Sequence, residues 1–155
     1  MLFCVIVVIF AKKIMARIIA IDYGKKKVGL AVTDELQMIA NGLTTVPTKE
    51  LFDFLTDYCS KERVEAFVVG EPKQMDNTYS ESIKYVKPFV GRLKKTFPDI
   101  AIHYVDERFT SKMAFQTMID SGIGKKARRN KELVDTISAT IILQSYLAMK
   151  DNNLI

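Results

Sequence analysis

A carboxylate stands at the end of an apolar run near the start of the chain, beside a glycine-containing turn. Asp22 follows the apolar segment 16–21, and Gly24 and Gly29 bracket three lysines at 25–27. Glycine permits a sharp reversal and a close approach of the backbone, so the segment predicts a β-hairpin with the carboxylate at its mouth. A carboxylate beside lysines suits a hydrated divalent cation that bridges to phosphate oxygens. Judged alone, Asp22 is better explained as a solvated residue of an ordinary hairpin.

Two adjacent acids and an arginine follow a later apolar run. Asp106, Glu107 and Arg108 come directly after residues 100–105. In phosphodiester hydrolysis, carboxylates from separate elements hold one or two divalent ions that activate water. An arginine can steady a phosphate through paired hydrogen bonds. Acids facing the positive end of a following helix explain the same residues equally well.

A third acid lies on the last predicted helix. Asp135 shares a helical stripe with Ala139, Ile142 and Tyr146, and this stripe should face the sheet. The small Ser138 and Ala139 would allow that helix to approach the strand ends closely. A first-turn acid stabilised by the helix dipole is slightly the better interpretation of Asp135 alone. The three acidic positions together favour a shared site.

Positive charge is concentrated beside these acids. The chain carries 23 Lys and Arg against 18 Asp and Glu, a formal charge of +5. A second basic cluster just before the last helix contains Lys125, Lys126, Arg128, Arg129 and Lys131. Such clusters permit a polyanionic partner, although a solvated surface loop is an equally good explanation of each alone.

The hydrophobic pattern predicts the elements that must position these residues. Strands are predicted at 16–22, 27–33, 43–46, 66–70 and 100–105, and the strands at 66–70 and 100–105 are expected to be buried. Helices are predicted from a Thr48 cap to about 59, from Thr78 or Ser80 to 95, at 111–120 and at 131–150. An antiparallel meander followed by strand, helix and strand makes a mixed α/β sheet with helices on its faces. Ligands gather at the carboxyl ends of strands in such sheets, which is where the acids fall.

The N-terminal residues are expected to be an extension. Residues 2–11 are apolar but about half as long as a membrane span, so no membrane association is predicted. Lys12 and Lys13 follow the apolar run, which is the reverse of a secretory signal. Met15 is therefore the expected native start, residues 1–14 the extension, and 15–150 a single domain.

The rare residue types narrow the chemistry. Cys4 and Cys59 are too few for a disulfide framework, which fits a reducing cytoplasm. His103 lies in a strand-like run and is expected to be an ordinary strand residue. With one histidine in the chain, hydrolases that require a histidine base are disfavoured.

Four segments, in order and spacing, resemble the YqgF/RuvX family over about residues 15 to 148. They are Asp22-x-Gly-x-Lys-x-x-Gly-Leu-Ala-x-Thr-Asp34, Val68-Val69-Gly70-x-Pro72, Asp106-Glu107-Arg108-x-Thr110-Ser111 and Asp135-x-x-Ser-Ala-x-x-Ile-Leu143. The resemblance implies a ribonuclease H-like fold with a central five-stranded mixed sheet. It also implies a bacterial nuclease that matures the 5′ end of pre-16S rRNA, or a Holliday junction resolvase.

The family's site can be carried over residue by residue. The implied catalytic residues are Asp22, Glu107, Asp106 and Asp135, and the implied ligands of Mg²⁺ or Mn²⁺ are Asp22, Glu107 and Asp135. Glu107 is favoured over Asp106, although the uncertain strand end leaves both open. The implied contacts to a nucleic-acid backbone are Lys25, Arg108, Lys125, Lys126, Arg128, Arg129 and Lys131.

Two rival functions come from other classes. An actin-like sugar or acetate kinase also uses an Asp-x-Gly hairpin, but such enzymes need two domains to enclose a nucleotide, and this chain supplies one. A non-catalytic nucleic-acid-binding factor in transcription or ribosome assembly would be indicated by loss of a metal-binding acid, and all the candidate acids are present. The residues do not distinguish pre-rRNA from branched DNA, one metal ion from two, or a monomer from a homodimer.

Overall fold

The computed structural model describes residues 16–72, 81–106, 116, 119, 120, 122, 124–126 and 129–152. The strands in these ranges are β1 (Arg17–Tyr23), β2 (Lys27–Thr33), β3 (Ala40–Pro47), β4 (Val64–Glu71) and β5 (Ala101–Asp106). We label the helices α1 (Leu51–Lys61), α2 (Ile83–Thr96) and α3 (Lys131–Asp151); a 3₁₀ turn, Thr48–Glu50, precedes α1. The proposed extension at 1–14, the start of a helix at Thr78 or Ser80, and most of the helix expected at 111–120 lie outside the described residues.

The strands form one mixed sheet in the order β3-β2-β1-β4-β5. β1, β2 and β3 pair antiparallel, as the predicted meander requires, while β4 and β5 run parallel to β1. The α/β class and the five-stranded mixed sheet are thus confirmed. The carboxyl ends of β1, β4 and β5 lie at the same edge, because these three strands are parallel.

Alternation along β1 divides the core between two faces of the sheet. Ile19 and Ile21 belong to the cluster packed under α1 and α2. Ile18 and Ala20 belong to the cluster packed under α3. Since side chains along a strand point to opposite faces with a period of two, Asp22 lies on the α3 face.

The helices bury the faces that their periodicity predicts. In α2 the fully buried side chains are Val86, Phe89, Val90 and Leu93, spaced i, i+3, i+4 and i+7. In α3 the buried run from Ser138 to Leu147 lies over the sheet. Among the described residues, none of the helices has the length and apolar character that crossing a bilayer requires.

Two local predictions are wrong. Thr48 does not cap α1; its hydroxyl instead donates to the Gly24 carbonyl at 2.7 Å, because the end of β3 runs beside the hairpin turn. The strand near 100–105 is not buried on both faces. β5 is an edge strand in which Val105 is buried and most other side chains are exposed.

Candidate active site

Asp22 and Asp135 line one cleft of about 330 Å³ at the carboxyl end of β1. The other lining residues are Gly24, Lys25, Lys26, Lys27 and Lys131. The cleft therefore holds two carboxylates under a rim of positive charge. It lies between the β1–β2 turn and the first turns of α3.

The row of residues beside Asp22 lacks side chains. Asp22 pairs with Gly29 on β2, and directly paired residues of antiparallel strands face the same side. On the other flank, Gly70 follows Val69, which is registered with Ile21, so Gly70 is the β4 neighbour of Asp22. Asp22 therefore has no neighbouring side chain on either flank within the sheet.

Gly29 also decides how close α3 comes to the sheet. A Cβ atom added at Gly29 would lie 2.1 Å from the carbonyl oxygen of Asp135 and 2.5 Å from its carbonyl carbon. The helix backbone is therefore in contact with the strand backbone at the residue opposite Asp22. This close approach brings Asp135 to the Asp22 cleft.

The first turn of α3 is anchored to the hairpin and to β3. The Thr45 hydroxyl donates to the Glu132 carbonyl at 2.9 Å and lies 2.7 Å from the Thr136 hydroxyl. Lys27 forms an ion pair with Glu132 at 2.5 Å. The Asn130 side chain accepts hydrogen bonds from the backbone N–H groups of residues 132 and 133, as an N-cap does. These contacts hold the turn that precedes Asp135.

The β1–β2 turn that carries the three lysines is held by hydrogen bonds from Thr48. A Cβ atom at Gly24 would lie 2.3 Å from the Lys27 carbonyl oxygen, so the turn needs glycine at this position. The Thr48 hydroxyl donates to the Gly24 carbonyl, and the Thr48 N–H donates to the Lys26 carbonyl at 3.0 Å. Lys25 and Lys26 are exposed on this tied turn, with their charges at the cleft.

The surroundings of Asp135 disfavour the charged form of its carboxyl group overall. Burial raises the pKa of the Asp135 carboxyl above its ordinary value of 3.8, and nearby Glu132 raises it further. The positive charges of Lys131 and Lys27 act in the opposite direction and lower it. A partly desolvated carboxylate of this kind is a characteristic of functional sites.

The remaining predicted site residues separate into four groups. Lys25 and Lys131 line the cleft with the two acids. Asp106 is exposed at the end of β5 and, being next to Val105 of the α3-side cluster, lies on the face opposite Asp22. Lys125, Lys126 and Arg129 are exposed and do not line the cleft. Glu107, Arg108 and Arg128 lie outside the described residues.

Within the described part of the chain, no three acidic, histidine or cysteine side chains are grouped so as to hold a metal ion. Two of the three predicted ligands share the cleft, and the third, Glu107, is not described. Sequence reasoning assigned Gly29 only a general close approach and did not assign Lys26 to the site. The pairing of Gly29 with Asp22 was the available signal for the glycine, and the run of three lysines was the signal for Lys26.

The sequence is similar to known proteins over most of its length. Residues 16–149 match the model of the family described as "RuvX: Holliday junction resolvase". A protein of Phocaeicola vulgatus named "Putative pre-16S rRNA nuclease" is 62% identical over 136 residues, 88% of this chain and 98% of the relative. A protein of Bacteroides fragilis with the same name is 60% identical over 136 residues, 88% of this chain and 99% of the relative.

A solved structure has the same fold. The structure described as T. thermophilus RuvC in complex with Holliday junction substrate aligns with a TM-score of 0.54 at 16% identity. The alignment covers 87% of this chain and 96% of the other. The expected ribonuclease H-like fold is confirmed by this likeness.

Proposed function

This chain belongs to the RuvX family, and from that membership we propose that it is a nuclease that hydrolyses phosphodiester bonds in pre-16S rRNA. Relatives at about 60% identity over nearly their whole length carry the name of such a nuclease. Its substrate is a nucleic acid, and the proposed reaction is maturation of the 5′ end of the rRNA precursor during ribosome biogenesis. The proposed compartment is the cytoplasm.

The observation that carries this proposal is the pairing of Asp22 and Asp135 in one lysine-rimmed cleft. Carboxylate oxygens are the ligands that hard divalent cations prefer, and the cleft that the two side chains line has a volume of about 330 Å³. A cation would also compensate the desolvated charge of Asp135. We therefore propose that Asp22, Asp135 and Glu107 hold Mg²⁺ or Mn²⁺. When bound, the cation would activate water and stabilise negative charge on the phosphate.

Strand alternation supports Glu107 over Asp106 as the third ligand. Val105 belongs to the core on the α3 face, so Asp106 is on the other side of the sheet from Asp22 and Asp135. The other acid of this segment is Glu107, which is next in sequence. We propose Glu107 as the ligand and assign no metal contact to Asp106.

The lysines of the cleft would bind the backbone of the substrate. Lys25 and Lys131 stand at the rim, where their ammonium groups can pair with phosphates on either side of the scissile bond. Lys27 is already paired with Glu132 and is proposed to position α3. Arg108, Lys125, Lys126, Arg128 and Arg129 are proposed to extend this contact along the nucleic acid.

Cleavage of a pre-16S rRNA fragment in Mg²⁺ or Mn²⁺ tests the proposal. Asp22→Asn and Asp135→Asn should each lower the rate by about a hundredfold or more, since metal-ion stabilisation is worth several kcal/mol. The double variant should be little worse than either single one, because the two carboxylates act as a unit. Asp53→Asn, an exposed acid in the first turn of α1, is the matched control and should cleave normally.

Metal binding can be measured without cleavage. Mg²⁺ or Mn²⁺ should raise the Tm of the wild-type protein, because a ligand that binds only the folded state stabilises it. The same ions should leave the Tm of Asp22→Asn and Asp135→Asn nearly unchanged. If wild type cuts no RNA and its Tm does not respond to either metal, the proposed nuclease site is wrong.

The second candidate is resolution of branched DNA. It is favoured by the description of the matching family, which names Holliday junction resolvases. A four-way DNA junction should be included beside the RNA in the same assay. Preferential cleavage of the junction, lost in Asp22→Asn, would assign the site to recombination or repair.

A further inference from the structure

A second cavity, of about 310 Å³, opens beside α1 and α2 on the other face of the sheet. Its wall includes the rings of Tyr23, Phe52 and Tyr85 and the basic side chains of Lys84 and Arg92. We call it the aromatic cavity. No acidic side chain lines it among the described residues.

Two rings of the aromatic cavity are packed against the buried Phe89, and a third, Tyr85, is accessible to solvent. Tyr23 stacks on the buried Phe89 with ring centroids 4.2 Å apart and planes 13° apart. Phe52 contacts the same Phe89 ring edge-on, with centroids 5.9 Å apart. Tyr85, on the solvent side of α2, keeps 45% of its surface exposed. An exposed ring above a packed aromatic floor can accept another flat ring.

The cavity is strongly positive. The Arg92 guanidinium lies 3.9 Å from the centroid of the Phe52 ring, and the Lys25 ammonium lies 5.2 Å from the centroid of the Tyr85 ring. Lys84 adds a third charge. The ion pairs of the described residues include none of these three side chains. Their charges are complementary to phosphate.

The aromatic cavity and the active-site cleft lie on either side of the hairpin turn. Lys25 lines the cleft and also approaches the Tyr85 ring. Asp22 and Tyr23 are consecutive residues of β1, so their side chains point to opposite faces of the sheet. A strand bound at the cleft can therefore pass over the turn and reach the aromatic cavity.

We propose that the aromatic cavity binds an unpaired base of the RNA substrate adjacent to the phosphate held in the cleft. This inference rests on the proposed function and specifies its substrate as single-stranded near the cut. The Tyr85 ring stacks on the base, and Lys25, Lys84 and Arg92 bind the flanking phosphates. Every base has a flat face, so the contact selects single strands without reading sequence. Bases in a duplex are already stacked on their neighbours and cannot enter.

The test compares binding of a short single-stranded RNA with binding of the same RNA in a duplex. Fluorescence anisotropy with the full chain in EDTA measures Kd without cleavage. Tyr85→Ala should raise the Kd for the single strand about fivefold or more and leave the duplex Kd unchanged. Tyr85→Phe, which retains the ring, should bind as wild type does. A 2-aminopurine base in the RNA should be quenched on binding wild type and Tyr85→Phe, and less quenched by Tyr85→Ala.

Tyr104→Ala is the matched control, since Tyr104 is 44% exposed and lies outside the aromatic cavity. The proposal is overturned if Tyr85→Ala binds the single strand normally, or if Tyr104→Ala loses as much affinity. Equal losses for single strand and duplex would also overturn it, because they would indicate only displacement of the Lys25 charge. Wild type that does not bind the single strand overturns it as well. Failure of the nuclease proposal would differ: binding and quenching would persist while no RNA is cut in the presence of metal.

Discussion

At the Asp135 carboxyl group, the requirements of stability and of the proposed function conflict. Burial raises its pKa above 3.8, because the packed helix removes water from the charged form. In the unfolded chain the group would lose its proton near the ordinary value. The folded state is therefore penalised at pH values above the raised pKa, and the penalty disappears as pH falls through that pKa toward 3.8.

Asp135→Asn should consequently stabilise the metal-free protein while abolishing cleavage. In a chelator at neutral pH, we expect the variant to have a higher Tm than wild type, because it removes a desolvated charge. The difference should shrink as pH is lowered through the raised pKa of Asp135. Thermal melts from neutral pH to about pH 4 measure this, with Asp53→Asn as an exposed-acid control. A wild type more stable than Asp135→Asn at neutral pH would contradict the argument.

At the scale of elements, the site depends on contact between the backbone of α3 and that of β2. Gly29→Ala would introduce a methyl group 2.1 Å from the Asp135 carbonyl oxygen, so the helix must move away. We expect a loss of about 1–3 kcal/mol in the free energy of unfolding, as for other overpacked contacts, together with loss of cleavage. Urea unfolding and the RNA cleavage assay measure the two effects.

Gly91→Ala provides the control for that substitution. Gly91 lies within α2, and a Cβ atom there would have nothing within 4 Å. Alanine should stabilise the helix by about 0.5–1 kcal/mol and leave cleavage unchanged. If both glycine variants have the same effect, steric contact with Asp135 is not what Gly29 is needed for.

The N-cap of α3 should contribute separately to the site. Asn130→Ala removes the acceptor for the N–H groups of residues 132 and 133 and should cost about 1 kcal/mol of unfolding free energy. The turn carrying Lys131 and Glu132 would loosen, so cleavage should fall as well. Asn130→Ser retains a capping oxygen and should restore most of both properties. Chemical denaturation of the three proteins measures the unfolding free energy. Equal losses of that free energy for the Ala and Ser variants would refute the capping role.

At the scale of the whole molecule, net charge governs association with nucleic acid. The chain has a formal charge of +5, and lysines are concentrated at the proposed cleft. The logarithm of the binding constant for single-stranded RNA should therefore fall linearly with the logarithm of salt concentration. The slope should be about −0.7 for each phosphate contact. Lys131→Ala should reduce that slope by about 0.7 in an anisotropy titration. Lys61→Ala should leave the slope unchanged, because Lys61 lines neither cavity and is paired with Asp57.

Much of the architecture could be predicted because its signals are local. The apolar runs predicted β1 and β2 to within a residue, and the helical stripe containing Asp135 predicted α3 from Lys131. The turn at Gly24 was predictable from glycine alone. The resemblance to a known family then implied the ribonuclease H-like fold with one central five-stranded sheet, which periodicity cannot supply.

Other features depended on which distant segments became neighbours. An apolar run does not show how many strands flank it, so β5 was predicted to be buried although it lies at the edge. Thr48 has the side chain of a helix cap, but β3 brings it to the Gly24 carbonyl instead. Local propensity is a weak guide wherever a tertiary partner competes for the same hydrogen bond.

Local patterns in the sequence are sufficient to predict the periods of the elements, the hairpin turn and the types of residue available to bind a cation and phosphate. The packing of distant segments brings Gly29 against the Asp135 backbone, Lys27 to Glu132, and Lys25 of the cleft to the Tyr85 ring. The reason is physical. Periodicity and turn chemistry act between residues a few positions apart, whereas the cleft is made by close packing of a strand against a helix far along the chain.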